Sequence, residues 1–275
     1  MTAPTAVEGR VTATDGVGIA YRDYGQSGRG LVLLHGGGAN LESMDQFAER
    51  LGGSRRTVAI ASDVAAVVRA LDLGPVDVVG HSMGGFVAGF YGIANPDARV
   101  VSIDGFGPGM VTVGSDAERA EWRSFQGSMK AAFFAMTAPP ESGDLAWRNE
   151  QVAMLRDVFP RIGYTAPNAA VMAERNFVDA GGGVYRRRPP RHLFADAFGD
   201  DGETDILRMY RHATCPTLII RCTESGAPAV LDAELDALAS ANDAVRVVRL
   251  PLTHLAPAWD AIDLVVTEIE RFLSR

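Results

Sequence analysis

The chain alternates short apolar runs with segments in which apolar residues return every three or four positions. Val7–Thr14 and Val17–Tyr24 alternate as half-buried strands do, and Asp15-Gly16 between them is a hairpin signal. Leu31–Leu34 is apolar throughout, the pattern of a strand covered on both faces of a parallel sheet. Met44–Leu51 has helical spacing, Thr57–Ile60 reads as a further strand, and Ser62-Asp63 stands where it can cap a helix over Val64–Leu71. Val76, Val78 and Val79 form a β-branched run that enters Gly80-His81-Ser82-Met83-Gly84. Beyond it Phe86, Val87, Phe90 and Ile93 recur at helical spacing until Asn95-Pro96. Val100–Ile103 is the next strand, and it stops at Asp104.

The rhythm changes after Gly105-Phe106-Gly107-Pro108-Gly109. From there to about Ala213 no strand run is found, and helices are expected around Asp116–Met136, Leu145–Phe159, Pro167–Asp179 and Glu203–His212. Gly181-Gly182-Gly183 reads as a turn or hinge, since it lacks the Lys-Ser/Thr ending of a phosphate loop. Alternation of strand and helix resumes with a strand at Thr217–Arg221, a helix at Val230–Ser240, a strand at Val245–Leu250 and a helix at Pro257–Leu273. The fold class expected is α/β with a mostly parallel sheet. Its core comprises residues 1–106 and 213–275, and a helical lid is inserted over residues 107–212.

Composition narrows the function classes. The 275 residues, 47% hydrophobic and 22% charged, suit one globular domain or a core with an insertion. A net charge of −8 argues against nucleic acid and anionic membranes as partners and leaves a small molecule. Arg186-Arg187-Arg188-Pro189-Pro190-Arg191, the one basic cluster, is expected to be a solvated loop. No apolar run reaches the ~18 residues of a membrane span, and MTAPTAVEGRVTATDG has neither the basic start nor the apolar core of a signal peptide. A cytoplasmic location is therefore expected. Cys215 and Cys222 fall on one predicted strand facing opposite sides, so they do not pair, and no metal-ligand spacing surrounds them.

Candidate chemistry centres on Ser82, the middle of a G-x-S-x-G between strand and helix. That context presents the hydroxyl at the top of a sheet on a strained turn. Glycines on either side remove the Cβ atoms that would clash there. A serine hydroxyl is a weak nucleophile and needs a base within hydrogen-bond reach. Of the five histidines, His254 alone follows the final strand, on a loop that can fold back over Ser82. His81 is expected to pack or bond locally, His35 to orient the glycine loop it precedes, and His192 and His212 to be structural or exposed.

His35-Gly36-Gly37-Gly38 after one strand, Gly80-His81-Ser82-Met83-Gly84-Gly85 after another, and Thr253-His254 before the last helix resemble the α/β-hydrolase family over nearly the whole chain. The resemblance implies a triad met in the order nucleophile, acid, histidine, with the oxyanion held by the backbone N–H groups of Gly37 and Met83. Serine at position 82 points away from the haloalkane dehalogenases and epoxide hydrolases. No cofactor and no metal is implied. Two departures from the family pattern leave alternatives open. Where many relatives carry an aspartate after the strand matching Thr217–Arg221, this chain has Ser225 with Glu224 beside it, so the acid is Asp104, Glu224 or neither. After Ile60, where relatives carry a longer loop, the strand joins its helix almost directly, which would open one wall of the site. His35, Gly38, Phe106, Trp122, Phe133 and Phe134 are candidates for lining an apolar pocket. The function expected is a serine hydrolase of esters, thioesters or lactones. The same triad leaves open a C–C hydrolase, a lyase or a cofactor-free perhydrolase, and the unusual acid leaves open a ligand receptor without turnover.

Overall fold

The computed structural model describes residues 6–60, 63–106, 109–136, 140–161, 168–188, 205–258 and 261–274. In chain order, β1 (Val7–Thr12) and β2 (Gly18–Asp23) form a hairpin. β3 (Gly30–Leu34) is followed by α1 (Asp45–Leu51), β4 (Arg56–Ile60) by α2 (Val64–Ala70), and β5 (Val76–His81) by α3 (Met83–Ala94). After β6 (Arg99–Ile103) come α4 (Asp116–Met136), β7 (Ser142–Gly143), α5 (Leu145–Arg161), α6 (Asn168–Arg175), β8 (Phe177–Asp179), β9 (Tyr185–Arg187) and α7 (Ile206–Arg211). β10 (Thr217–Cys222), α8 (Val230–Ala241), β11 (Val245–Leu250) and α9 (Ile262–Leu273) follow.

Eight strands form one sheet in the order β1-β2-β4-β3-β5-β6-β10-β11. β1–β2 and β2–β4 are antiparallel, and every other pairing is parallel. The all-apolar strands are explained by burial on both faces. Leu31 and Leu33 join Val79 and Val101 beneath α1 and α9, whereas Val32 and Leu34 join Val78 and Val100 beneath α2 and α3. A third cluster, including Trp122, Leu207, Tyr210, Leu231 and Leu235, packs α4, α7 and α8 together.

The segment between β6 and β10 departs from the expectation of helices alone. Its short strands make a separate antiparallel sheet in the order β7-β9-β8. Gly181, Gly182 and Gly183, all with positive φ, form the turn between β8 and β9. Arg186 and Arg187 belong to β9, so the basic cluster begins in a strand and not in a solvated loop. The guanidinium of Arg187 lies 5.8 Å from the centre of the Phe177 ring. Val152, Leu155, Ala173 and Phe177 make a small core of their own, against which Ala39 and Leu255 of the main sheet's loops pack. β4 and α2 are closely joined, because Asp63 already caps α2, its side chain accepting from the Ala66 N–H at 3.3 Å. Among the described residues no helix is long and apolar enough to cross a membrane.

Candidate active site

Ser82 sits between the last residue of β5 and the first of α3, with φ 54° and ψ −121°. A non-glycine residue rarely holds such a backbone, and here both neighbouring elements enforce it. Glycine makes the turn possible by allowing close approach. A Cβ on Gly80 would lie 2.1 Å from the Gly84 carbonyl oxygen, and one on Gly84 would lie 2.3 Å from that of Leu34. The N-terminus of α3 is thereby held against the end of β3, where the glycine loop begins.

The parallel ladder carries Ser82 and Asp104 to one edge of the sheet. The Ser82 N–H donates to the Ile103 carbonyl at 2.8 Å, and the Asp104 N–H to that of Ile220 at 2.7 Å. Asp104 also has a positive φ, 47°, and its carboxylate is buried. Beneath the Asp104 turn, the Tyr210 hydroxyl donates to Ser102 Oγ at 2.8 Å and lies 3.0 Å from the Gly105 carbonyl, tying α7 to the turn.

His254 completes a row of hydrogen bonds. Its Nδ1–H donates to Asp104 Oδ2 at 2.7 Å, and its Nε2 accepts from Ser82 Oγ at 2.9 Å. The other carboxylate oxygen, Asp104 Oδ1, accepts from the Cys222 N–H at 2.9 Å. A carboxylate can only accept, so the proton on His254 is assigned to Nδ1 and the lone pair of Nε2 faces the serine. The loop holding His254 is itself pinned, because His81 Nε2–H donates to the His254 carbonyl at 2.7 Å. Burial, assisted by the neighbouring His254, pulls the His81 pKa down to about 4, so this anchor is neutral at physiological pH.

A family model described as the alpha/beta hydrolase fold matches residues 21–146. Among solved structures, an E-2-(acetamidomethylene)succinate hydrolase superposes with a TM-score of 0.75 at 19% identity, over 98% of this chain and 100% of that one. An alpha/beta hydrolase from Novosphingobium aromaticivorans DSM 12444 gives 0.68 at 18% identity, over 100% and 99%. A thermophilic esterase from Thermogutta terrifontis gives 0.61 at 20% identity, over 98% of each chain. The chain has the α/β-hydrolase fold. No curated protein matches its sequence.

In this α/β-hydrolase fold the remaining candidates are distributed unevenly. Glu224 is exposed and outside the hydrogen-bonded row, its backbone N–H bonded to the Leu252 carbonyl. Gly37 lies in a β-turn closed by the Ala39 N–H on the Gly36 carbonyl at 3.1 Å, with Gly38 at φ +77° in the third position, where such a φ favours glycine. Met83 opens α3, so its N–H has no acceptor within the helix. His35 Nδ1–H donates to the carbonyl of Gly36 at 2.9 Å, and burial lowers its pKa. His35 thus braces the loop that it precedes.

Two aromatic candidates are placed as joints between elements. Trp122 is buried in the α4–α7–α8 cluster with its indole N–H donating to the Gly109 carbonyl at 2.6 Å, and Phe106 packs in the same cluster. The side chains of Phe133 and Phe134, and all of His192, lie outside the described residues; His212 is exposed. Cys215 and Cys222 are buried free thiols, and burial beside Asp104 pushes the Cys222 thiol up, so it stays protonated. Among the described residues no group of three His, Cys, Asp or Glu side chains is arranged to hold a metal.

Sequence reasoning missed Arg221. It occupies a strand of otherwise apolar and small residues, and that misfit was its signal. Its Nη1 donates to Ser225 Oγ at 2.7 Å, the position at which the family resemblance leads to the expectation of an acid.

Proposed function

We propose that the chain is a serine hydrolase that cleaves carboxylic esters, thioesters or lactones through an acyl-enzyme on Ser82. One observation carries this reading: the unbroken row from Ser82 Oγ through His254 to the buried Asp104, at 2.9 and 2.7 Å. In this mechanism His254 Nε2 takes the Ser82 proton as Oγ attacks the carbonyl carbon, then returns it to the leaving group. Asp104 stabilises the imidazolium formed between these steps. Water repeats the cycle on the acyl-enzyme. The oxyanion is received by the N–H groups of Met83 and Gly37, and the positive end of the α3 dipole favours the developing charge. Support for that pairing comes from the contact of Gly84 with the end of β3, which brings the two loops together.

We assign residues 107–212 to a lid over this site. Ala39, beside the glycine loop, and Leu255, beside His254, pack on the small core of that segment, and Arg175 pairs with Glu42 at 3.0 Å. The carboxylate at His254 favours turnover over a receptor that merely binds. A fluorophosphonate probe should label the wild-type protein on Ser82, and Ser82→Ala should resist labelling and lose roughly 10⁴-fold or more of its esterase activity. Undiminished turnover in Ser82→Ala would exclude the acyl-enzyme.

A further inference from the structure

Arg221 is 1% exposed. Its guanidinium donates to the Cys222 carbonyl, to Ser225 Oγ at 2.7 Å and to the Ala227 carbonyl at 3.3 Å, all neutral acceptors. The carboxylates that balance this buried charge stand further off. Asp104 Oδ1 is 3.7 Å from Nη1, and Asp232 Oδ1 is 3.5 Å from Nε, which makes no hydrogen bond. The ring of Phe106 lies 6.0 Å from the guanidinium carbon. Other buried charges have direct partners that account for them. Asp77 is held by Arg29 and Arg99, and Glu234 by Arg211 and the amides of Thr112 and Val113. Those pairs join elements of the scaffold. Arg221 instead carries its charge to the triad carboxylate.

A buried cation without a close partner is expensive, and an apolar residue between Ile220 and Cys222 would avoid that cost. What the arrangement supplies is a fixed positive charge near one oxygen of Asp104, in a place where solvent screens little. Because the fork is anchored on three neutral groups, Asp104 keeps both of its short hydrogen bonds for Cys222 and His254.

We propose that Arg221 is a positioning residue for the triad: its fixed charge and anchored fork hold the Asp104 carboxylate in the orientation that receives His254 Nδ1–H. This proposal rests on the reading of Asp104 as the triad acid. The decisive variant is Arg221→Gln, which retains a polar group but no charge, assayed on p-nitrophenyl butyrate across the pH range. Loss of a nearby cation favours protonation, so the acidic limb of kcat/KM should move up by about one unit, and the neutral-pH rate should fall about tenfold or more. Arg221→Lys keeps the charge but not the fork and should return the limb to its wild-type position. In an Asp104→Asn background, Arg221→Gln should cost less than about threefold more, since the group it acts through is gone.

Asp232→Asn provides a second measurement at a partly exposed side chain. It removes a counter-charge that Arg221 shares with Arg249, whose Nε donates to Asp232 Oδ1 at 2.9 Å, so the limb should move the opposite way, down by a few tenths of a unit, about the scale of a partly screened charge. Should Arg221→Gln fail to fold, Asp232→Asn decides the matter. An unmoved limb, or losses that simply multiply in the double variant, would overturn the proposal. Failure of the underlying reading looks different: Asp104→Asn alone would leave turnover near wild type.

Discussion

Replacing Asp104 by asparagine tests the triad at the point where geometry makes the sharpest demand. Asp104 accepts two hydrogen bonds, from the Cys222 N–H at Oδ1 and from His254 Nδ1–H at Oδ2. Asparagine has one accepting oxygen and one donating nitrogen. If the amide nitrogen faced Cys222, two donors would meet in a buried turn, so the oxygen is held there and the nitrogen is turned to His254. The imidazole must then accept at Nδ1 and carry its proton on Nε2, where it points at Ser82 and can no longer take a proton from it. Loss of the correct tautomer together with the imidazolium's counter-charge is worth up to ~10⁴-fold in kcat, or about 5.5 kcal/mol of barrier at roughly 1.4 kcal/mol per tenfold. The assay is kcat and KM on an activated ester, with melting temperature measured alongside. We expect kcat to fall by about 10³- to 10⁴-fold, with a lowered melting temperature because the buried Arg221 loses a counter-charge, and Glu224→Gln to stay within about twofold of wild type. A folded Asp104→Asn protein within tenfold of wild-type turnover would refute the reasoning.

Three further outcomes follow from the structure. His81 is buried neutral with its pKa pulled to about 4, below an unfolded value near 6.5, so the unfolded chain binds more protons between these limits and stability falls as pH drops from about 6.5 towards 4. That dependence is worth up to about 3 kcal/mol, and urea denaturation of His81→Gln at pH 7 and pH 4.5 should show a shallower loss than wild type. Gly84→Ala forces a Cβ to 2.3 Å from a backbone oxygen that cannot give way, and should cost about 3 kcal/mol or more by denaturation. Gly53→Ala, with nothing within 4 Å, should stay within about 0.5 kcal/mol. Trp122→Phe removes a buried donor from the Gly109 carbonyl, which Gln126 Nε2 still serves at 3.0 Å; the cost should be about 1 kcal/mol, with the ranking of ester chain lengths unchanged.

The parts of this protein legible in its sequence are those whose cause is local. Leu31–Leu34 reads as a strand because a parallel sheet buried on both faces favours an unbroken apolar run, and Val76, Val78 and Val79 read as one because they are β-branched; the structure has β3 and β5 there. The Ser82 turn is legible because close approach of strand and helix leaves room only for glycine at positions 80 and 84. β7, β8 and β9 escape a reading of the pattern because strands of two or three residues have no period to detect.

What only the tertiary structure decided is how residues far apart in the chain meet. Asp104 and Glu224 each follow a strand and each carry a carboxylate, so nothing local separates them. Strand order separates their positions. β6 lies between β5 and β10, which puts Asp104 beside both the Ser82 turn and the Cys222 amide, and within reach of a histidine 150 positions later. Arg221 is a charged misfit in an apolar strand until that same order sets its guanidinium against Asp104. A hydrogen-bonded ladder converts strand order into ångström-scale placement, and that conversion depends on the whole sheet.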